Sequence, residues 1–159
     1  MIYLAIIIFV VFLDQYSKYL ILTHIAPVKT FPIIPGFFHL TYVENTGAAF
    51  NLFSDMQFFL ILITLIFIGI LIFFLFKIPK SRENTWINLS LSFIIGGAIG
   101  NLIDRIRLNY VVDFLDFRMI KFAIFNFSDV FVVCGSILLV IALLANKNFF
   151  DNNDLNKLQ

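Results

Sequence analysis

The chain has 159 residues, of which 61% are hydrophobic and 13% are charged, and its formal net charge at pH 7 is +1. Soluble domains carry about 25% charged residues, so this composition excludes a soluble protein and indicates one that lies in a membrane. The small net charge gives no electrostatic reason to expect nucleic acid as a partner. The length suits a single integral-membrane domain over residues 1–159 rather than two domains.

Apolar stretches predict the transmembrane helices in chain order. At about 1.5 Å of rise per residue, a stretch of about 20 residues crosses a hydrocarbon core of about 30 Å. The first span is predicted to be retained rather than cleaved as a signal, because it has no basic n-region and carries Asp14 and Lys18 where a signal's apolar core would continue. Four stretches have the necessary length, at about residues 2–22, 56–76, 86–106 and 126–146.

Four crossings place both termini on one side of the membrane and the connections 23–55 and 104–126 on the other. The distribution of Lys and Arg between the two sides does not decide the orientation. Polar residues lie in these two connections or in the span ends that open onto them, so we expect them to converge on one membrane face. They are Lys18, Asn45, Gly47, Asp104, Arg105, Asp113, Asn126 and Asp129.

The first connection predicts a small amphipathic sheet over about residues 36–54. Apolar and polar side chains alternate from Phe38 to Val43, and Asn45-Thr46-Gly47 supplies turn chemistry before Ala48-Ala49-Phe50. Residues 111–117 and 119–125 are also aromatic and β-branched, and they are too short to span, so we expect them in the headgroup zone. His24 and His39 are interpreted as ordinary loop residues, and the polar tail 146–159 as mobile.

The third span carries small and polar residues at helical spacing. Gly97, Asn101 and Asp104 fall on one face, while Gly96 and Gly100 form a GxxxG pattern typical of close helix packing. Helix packing alone does not explain why Asn101, Asp104 and Arg105 follow at once.

Other polar residues have a structural and a functional interpretation. Asp14 and Lys18 stand four residues apart and can form an ion pair, either structural or part of a site. Asn45 and Asn126 can serve a turn and a helix cap, or a site. Cys134, the only cysteine, is predicted to be a small buried apolar residue.

Elimination leaves carboxylates as the candidate chemistry. The chain has no HExxH, GxSxG, P-loop or GxGxxG motif. Asp113 and Asp129 lie beside membrane-spanning stretches, where ionised groups are costly and usually functional. Two aspartates within hydrogen-bonding reach share one proton, so one can act as a base toward water and the other as an acid. This predicts aspartic-protease chemistry.

Two other functions use intramembrane carboxylates differently. A proton relay in a transporter would need ionisable groups in both leaflets, whereas the second span and the inner span ends are nearly free of them. A structural or scaffold protein would need no dyad and would tolerate amidation of Asp113 and Asp129.

Five motifs together resemble those of lipoprotein signal peptidase, also called signal peptidase II, an aspartic endopeptidase family. The resemblance runs from the first span through the fourth in order and spacing, and the Gly-rich block is its most specific part. Ser128 stands where the family commonly has Ala, and the linker between the two dyad motifs is short. The motifs are Asp14 with Lys18, Asn45-Thr46-Gly47-Ala48-Ala49-Phe50, the segment Gly96 to Arg105, Val112-Asp113-Phe114, and Asn126-Phe127-Ser128-Asp129.

The resemblance implies a membrane all-α fold of four transmembrane helices, with a small amphipathic β-sheet and a loop at the extracytoplasmic interface. It implies a bacterial inner-membrane enzyme with cytoplasmic termini and a site near the outer leaflet. Such an enzyme removes the signal peptide of diacylglyceryl-modified prolipoproteins by cutting before the lipidated cysteine.

The resemblance also implies residue roles and partners. Asp113 and Asp129 match the family's catalytic dyad. We expect lipid-modified prolipoprotein signal peptides and membrane lipids as partners, no metal or other cofactor, no nucleic acid, and no need for an oligomer. The positions that match the family's supporting residues are Asp14, Lys18, Asn45, Gly47, Gly97, Asn101, Asp104, Arg105 and Asn126.

Overall fold

The fold consists of four long helices and a three-stranded sheet. A computed structural model describes residues 1–47, 52–54, 56–120 and 122–145. The elements in chain order are α1 (Ile2–Leu20), continued by a π-helical turn (Ile21–Ile25), β1 (Thr30–Ile34), β2 (Phe38–Asn45), α2 (Gln57–Lys77), α3 (Thr85–Leu108), β3 (Val111–Phe117), a 3₁₀ turn (Arg118–Ile120) and α4 (Phe127–Ala145).

The four predicted spans are confirmed as helices that are long and apolar enough to cross a membrane. Their outer surfaces carry large apolar side chains, and Phe58 and Phe76 at the two ends of α2 are 81% and 82% exposed. Soluble proteins rarely expose so continuous an apolar surface to water, whereas the hydrocarbon chains of lipids are equally apolar and can cover it. The chain is therefore a multi-pass membrane protein.

Helix α3 is the centre of the bundle. In its most apolar 18-residue window 67% of residues are buried, against 22%, 22% and 17% in α1, α2 and α4. Small residues explain this position, because Gly96, Gly97 and Gly100 let neighbouring helices approach the α3 backbone closely. One apolar cluster joins α3 to all three other helices, and it contains Ile7, Leu71, Leu75, Ile87, Leu91, Ile94, Ile95 and Ala142. A second cluster joins α3 to α2 through Ile68, Ala98 and Leu102.

The sheet is antiparallel in the order β1-β2-β3. Pro35 and Gly36 form the β1–β2 hairpin turn, in which Phe37 N donates to Ile34 O at 3.0 Å and Gly36 has a φ of 75°. Proline at the second position and a positive-φ glycine at the third match a type II turn, where a side chain would be strained.

The sheet differs from the predicted region 36–54. Only β2 lies inside that region, β1 precedes it, and β3 comes from the second connection. Residues 52–54 form a turn, and Ala48-Ala49-Phe50 lie outside the described residues. Beyond β3, the described residues of the segment 119–125 add an isolated bridge between Phe125 and Leu115 rather than a strand. Strand pairing between distant segments, which local alternation does not encode, decides which stretches join the sheet.

Pairing of β2 with β3 joins the two connections. Val43 lies opposite Asp113, and Asn45 lies opposite Val111. The predicted convergence of polar residues on one end of the bundle follows directly from this register.

Three predictions about single residues are wrong. His24 lies in the π-helical turn that continues α1 rather than in a loop. Cys134 is exposed on α4 rather than buried, because the next residue, Gly135, is the one that packs against α3 and Cys134 lies about 100° around the helix from it. His39 lies in β2 and is buried rather than in an open loop; its Nδ1 contacts Thr30 Oγ1 at 3.5 Å, and its Nε2 accepts from Gly36 N at 3.3 Å. The tail 146–159 lies outside the described residues.

Candidate active site

The β2–β3 pair positions the first of the two aspartates. Asp113 is buried on β3, and Asn45 on β2 donates from Nδ2 to its Oδ2 at 2.9 Å. Asn126, just before α4, donates from Nδ2 to the other carboxyl oxygen at 2.7 Å. Both oxygens of Asp113 are therefore held by amides, one from the sheet and one from the bundle.

The first turn of α4 positions the second aspartate through a capping box. Asn126 Oδ1 accepts from Asp129 N at 3.0 Å, and Asp129 Oδ2 accepts in return from Asn126 N at 3.1 Å. This reciprocal pair satisfies N–H groups that a helix start leaves free, and the helix dipole favours a carboxylate there. The cap interpretation and the site interpretation of Asn126 therefore both hold, since its Nδ2 remains available to Asp113.

Asn101 on α3 connects the aspartates to a cation. Its Nδ2 donates to Asp129 Oδ1 at 2.8 Å, while its Oδ1 accepts from Lys18 Nζ at 2.9 Å and from Asn126 Nδ2 at 3.1 Å. An ammonium group can only donate, so Lys18 fixes the orientation of this amide. The Asn101 NH₂ group is consequently the part that faces Asp129.

Lys18 lies at the centre of a buried ion cluster. Its Nζ is 2.9 Å from Asp14 Oδ2 and 2.8 Å from Asp104 Oδ2. Gln15 also donates to Asp104, from Nε2 to Oδ1 at 2.9 Å. The predicted Asp14–Lys18 ion pair is thus present, with a second carboxylate from α3.

The two carboxylates of this cluster also hold backbone on either side of the site. Asp14 Oδ1 accepts from Ser128 N at 2.9 Å at the start of α4, and Asp104 Oδ2 accepts from Val112 N at 3.1 Å at the start of β3. Each of these backbone groups is next to one of the two aspartates. The ion cluster therefore positions Asp113 and Asp129 through the backbone of the residue that precedes each of them.

Glycines of α3 provide the space for these contacts. A Cβ added to Gly97 would lie 2.5 Å from Ser128 O, and one added to Gly100 would lie 2.5 Å from Asp14 Oδ2. Gly96 instead packs against Val10 of α1. Gly96 thus serves packing against α1, Gly97 serves packing against α4, and Gly100 lies against both, at Asp14 of α1 and Ser128 of α4.

Burial controls the protonation of Asp113. Desolvation raises the pKa of this carboxyl to about 7 and the nearby Asp129 charge adds to the rise, while hydrogen bonds from Asn45 and Asn126 and the charge of Lys18 oppose it. A carboxyl in this range can hold a proton near neutral pH beside an ionised neighbour. Since both aspartates bond to Asn126, their titration belongs to the pair.

The aspartates face a cavity of about 1020 Å³. Its walls are mainly apolar, and Val133 and Cys134 in those walls belong to the exposed face of α4, so the cavity is open toward the surface that contacts lipid. The lining includes Asn45, Asn101, Arg105, Asp113, Asp129, Val111, Phe122, Ile124, Phe125, Val130 and Val132.

The structure brings every predicted site residue into or against this network. Arg105 joins it through the backbone of the first connection, donating from Nη2 to Gly47 O at 3.0 Å. Two residues were missed, Gln15 and Gln57. A glutamine inside an apolar span could have drawn attention to Gln15, but nothing in the sequence marks Gln57 at the start of α2. Within the described part of the chain, no three His, Cys, Asp or Glu side chains form a metal-binding group.

Comparisons with known proteins agree over most of the chain. The family model for signal peptidase (SPase) II matches residues 6–145. A lipoprotein signal peptidase of Caldanaerobacter subterraneus is 50% identical over 136 residues, which cover 86% of this chain and 91% of that protein. A lipoprotein signal peptidase of Streptococcus pyogenes is 45% identical over 143 residues, covering 90% and 93%.

Two solved structures share the fold. Both are described as bacterial membrane enzymes. One has a TM-score of 0.80 at 35% identity and covers 92% of this chain and 90% of its own. The other has a TM-score of 0.78 at 37% identity and covers 89% and 92%.

Proposed function

This chain belongs to the signal peptidase II family, and from that premise we propose that it is a membrane aspartic endopeptidase of prolipoproteins. It removes the signal peptide of diacylglyceryl-modified substrates by cutting before the lipidated cysteine. The observation that carries the proposal is the pair Asp113 and Asp129, both bonded to Asn126 at the edge of an apolar cavity.

The proposed mechanism uses one proton shared by the two aspartates. The ionised carboxyl takes a proton from a water molecule, which attacks the scissile carbonyl, and the protonated carboxyl donates toward the carbonyl oxygen. The raised pKa of Asp113 supports its role as the group that holds the proton at neutral pH. General acid–base catalysis of this kind contributes about 10²–10⁴ in rate.

The supporting residues keep the two carboxyls oriented without adding a competing charge. Asn45, Asn101 and Asn126 are neutral donors to the aspartates, so they orient the carboxyl oxygens while the dyad keeps its own proton. Lys18 acts at a distance through Asn101. By this reasoning Asp14, Lys18 and Asp104 are positioning residues rather than catalytic ones.

The shape and chemistry of the cavity suit a lipid-linked substrate. A diacylglyceryl-modified cysteine carries two acyl chains, and a signal peptide is an apolar helix, so both would reach the site from the bilayer. Walls such as Phe122, Ile124 and Phe125 offer apolar contact. Asn45 and Asn101, which donate to the dyad, line the same cavity and offer polar contact where water is needed.

The same proposal includes location. We infer the bacterial cytoplasmic membrane, with cytoplasmic termini and the sheet end of the bundle near the outer leaflet, because exported prolipoproteins present their lipidated cysteine on that side. A C-terminal fluorescent fusion that folds only in the cytoplasm should fluoresce, and a C-terminal alkaline phosphatase fusion should be inactive. The reverse pattern would contradict this orientation.

The decisive experiment compares two substrates. The purified protein should cleave a prolipoprotein peptide whose cysteine sulfur carries a diacylglyceryl group and should leave the unlipidated peptide intact. Mass spectrometry of the products should place the cut before the modified cysteine. Cleavage of both forms at equal rates would contradict the lipid requirement.

Single amide replacements test the dyad. Asp113→Asn and Asp129→Asn should each lower the cleavage rate by at least about 10³-fold while the variants remain folded, since Asn preserves the side-chain shape. Circular dichroism checks the fold. Wild-type turnover by either variant would remove that residue from the dyad.

A further inference from the structure

Residues 45–47 are held in place by side chains from two helices. Arg105 on α3 donates to Gly47 O at 3.0 Å. Gln57, the first residue of α2, donates from Nε2 to Thr46 O. Two consecutive carbonyls are therefore bound by different helices, so the backbone of this segment is fixed relative to both.

This backbone controls the orientation of the Asn45 amide. Gly47 N donates to Asn45 Oδ1 at 3.0 Å, which leaves Nδ2 to donate to Asp113 Oδ2 at 2.9 Å. A rotated amide would place its oxygen against the carboxyl of Asp113 and would leave Gly47 N without its acceptor. The contacts thus form a continuous series from Gln57 through Thr46, Gly47 and Asn45 to Asp113.

The environment of Gln57 supports a positioning role. The Gln57 side chain is directed away from its own helix to the preceding segment, where Nε2 donates to Thr46 O. Gln57 Oε1 is buried and has no hydrogen-bond partner among the residues that the structure describes. Burial of an unpaired amide oxygen costs free energy, and the contact with Thr46 gives a reason for a glutamine at this otherwise apolar helix start.

We propose that Gln57 is a positioning residue for Asp113, acting through the backbone of Thr46 and Gly47 to keep the Asn45 amide directed at the carboxyl. The proposal rests on the proposed function, in which Asp113 belongs to the dyad. Gln57 contacts neither aspartate in this network, so it acts on turnover through Asn45 alone.

The proposal predicts how turnover and its pH dependence change together. Loss of a hydrogen bond that orients the Asp113 carboxyl should lower kcat about 10-fold, with KM little changed because the cavity walls are untouched. The Asn45 bond lowers the pKa of Asp113, so its loss should move the alkaline limb of the rate profile to higher pH. The other groups that act on Asp113 remain in place in such a variant, namely Asp129, Lys18, Arg105 and Asn126.

A double-mutant cycle tests the series of contacts. The full chain in detergent would carry Gln57→Ala, Gln57→Glu, Asn45→Ala or Asn45→Ala with Gln57→Ala, assayed on the diacylglyceryl peptide. Glu has the size of Gln but, when ionised, cannot donate to Thr46. Phe58→Ala is the matched control, because Phe58 is the next residue of α2 and is 81% exposed. It should keep wild-type kcat and pH profile.

The expected result is a non-additive cycle. Both Gln57 variants should lower kcat and shift the alkaline fall of the rate to higher pH. The double variant should be no slower than Asn45→Ala, since both changes remove the same contact. The proposal would be overturned if the kcat losses of the two single variants multiplied in the double variant. It would also be overturned if the alkaline fall of the rate stayed at the wild-type pH, or if the effect were no larger than that of Phe58→Ala. Multiplying losses with a lowered Tm would assign Gln57 to general stability instead.

The outcome separates this inference from the proposed function. If the wild type cleaves the lipidated peptide and Asp113→Asn does not, the proposed function stands and the cycle judges Gln57 alone. If the wild type fails to cleave the peptide, the proposed function itself is wrong.

Discussion

Replacement of Lys18 with Met should be among the most destabilising single changes in this protein. Lys18 makes ion pairs with Asp14 and Asp104, and the three side chains are 2%, 0% and 4% exposed. Removal of one partner from a buried ion pair costs about 3–5 kcal/mol, because the remaining charges stay buried without compensation. Here two carboxylates would lose one shared cation, so we expect Lys18→Met to cost about 3–5 kcal/mol of unfolding free energy.

The chain contains a matched control. Arg118 and Asp116 form an ion pair of similar length, 3.0 Å, but the Arg118 side chain is 43% exposed. Solvent screens such a pair, so Arg118→Met should cost about 1 kcal/mol or less. The two sites differ in burial and in the number of carboxylates paired with the cation, and together these differences should make the cost of Lys18→Met several-fold larger than that of Arg118→Met.

Heating in detergent, followed by circular dichroism at one fixed scan rate, measures both variants. For a chain of this size about 1 kcal/mol shifts Tm by about 2–4 °C, so Lys18→Met should lower Tm by about 6–20 °C. Arg118→Met should lower it by about 4 °C or less. Equal shifts in the two variants would refute the argument that burial sets the cost, and so would a Lys18→Met shift as small as the control's.

Three further predictions concern the dyad and the helix contacts. The folded-state pKa of Asp113 is raised from 3.8 to about 7, so its ionised form is disfavoured in the fold. The shared proton is held below that pH and lost above it. We therefore expect kcat/KM to fall as the pH rises through about 7. A rate that stays constant for about two pH units beyond would contradict this assignment. Gly97→Ala should cost about 1–3 kcal/mol in thermal unfolding, because its Cβ would lie 2.5 Å from Ser128 O and 2.9 Å from Val132 Cγ2. Gly69→Ala is the control and should be neutral or stabilising by about 1 kcal/mol, since no described atom lies within 4 Å of the added Cβ. A loss of stability as large as that of Gly97→Ala would contradict the packing argument. Ser128→Ala should be neutral or stabilising by about 1 kcal/mol, because Ser128 Oγ is buried and has no hydrogen-bond partner in the described part of the chain. A lowered Tm would show that the hydroxyl has a favourable contact.

Local features of the sequence were sufficient for the spans and for part of the site. Apolar runs of about 20 residues must be membrane helices because only a helix satisfies its own backbone in lipid. Four such runs place the two connections at the same end without further information. The i to i+3 spacing of Asn126 and Asp129 is likewise local, and it yields the capping box seen at α4.

Pairing across the chain could not be read in the same way. Residues 30–34 contain a proline and no strict alternation, and they become β1 because β2 offers a partner. β3 joins the same sheet from a segment about 70 residues away, a separation that gives Val43 opposite Asp113. The contact of Gln57 with Thr46 also depends on where α2 begins in space.

The amino-acid sequence by itself determined a four-span membrane protein with its acidic, amide and basic residues at one end, because hydropathy and helical spacing act over a few turns of chain. The tertiary structure alone decided which side each apolar helix presents to α3, and hence that Cys134 is exposed and Lys18 buried. Helices that are apolar all round carry no pattern to mark their buried face. The buried face is instead decided by the close approach of helices at Gly97 and Gly100 and by the β2–β3 register. These contacts also bring the two aspartates to Asn126.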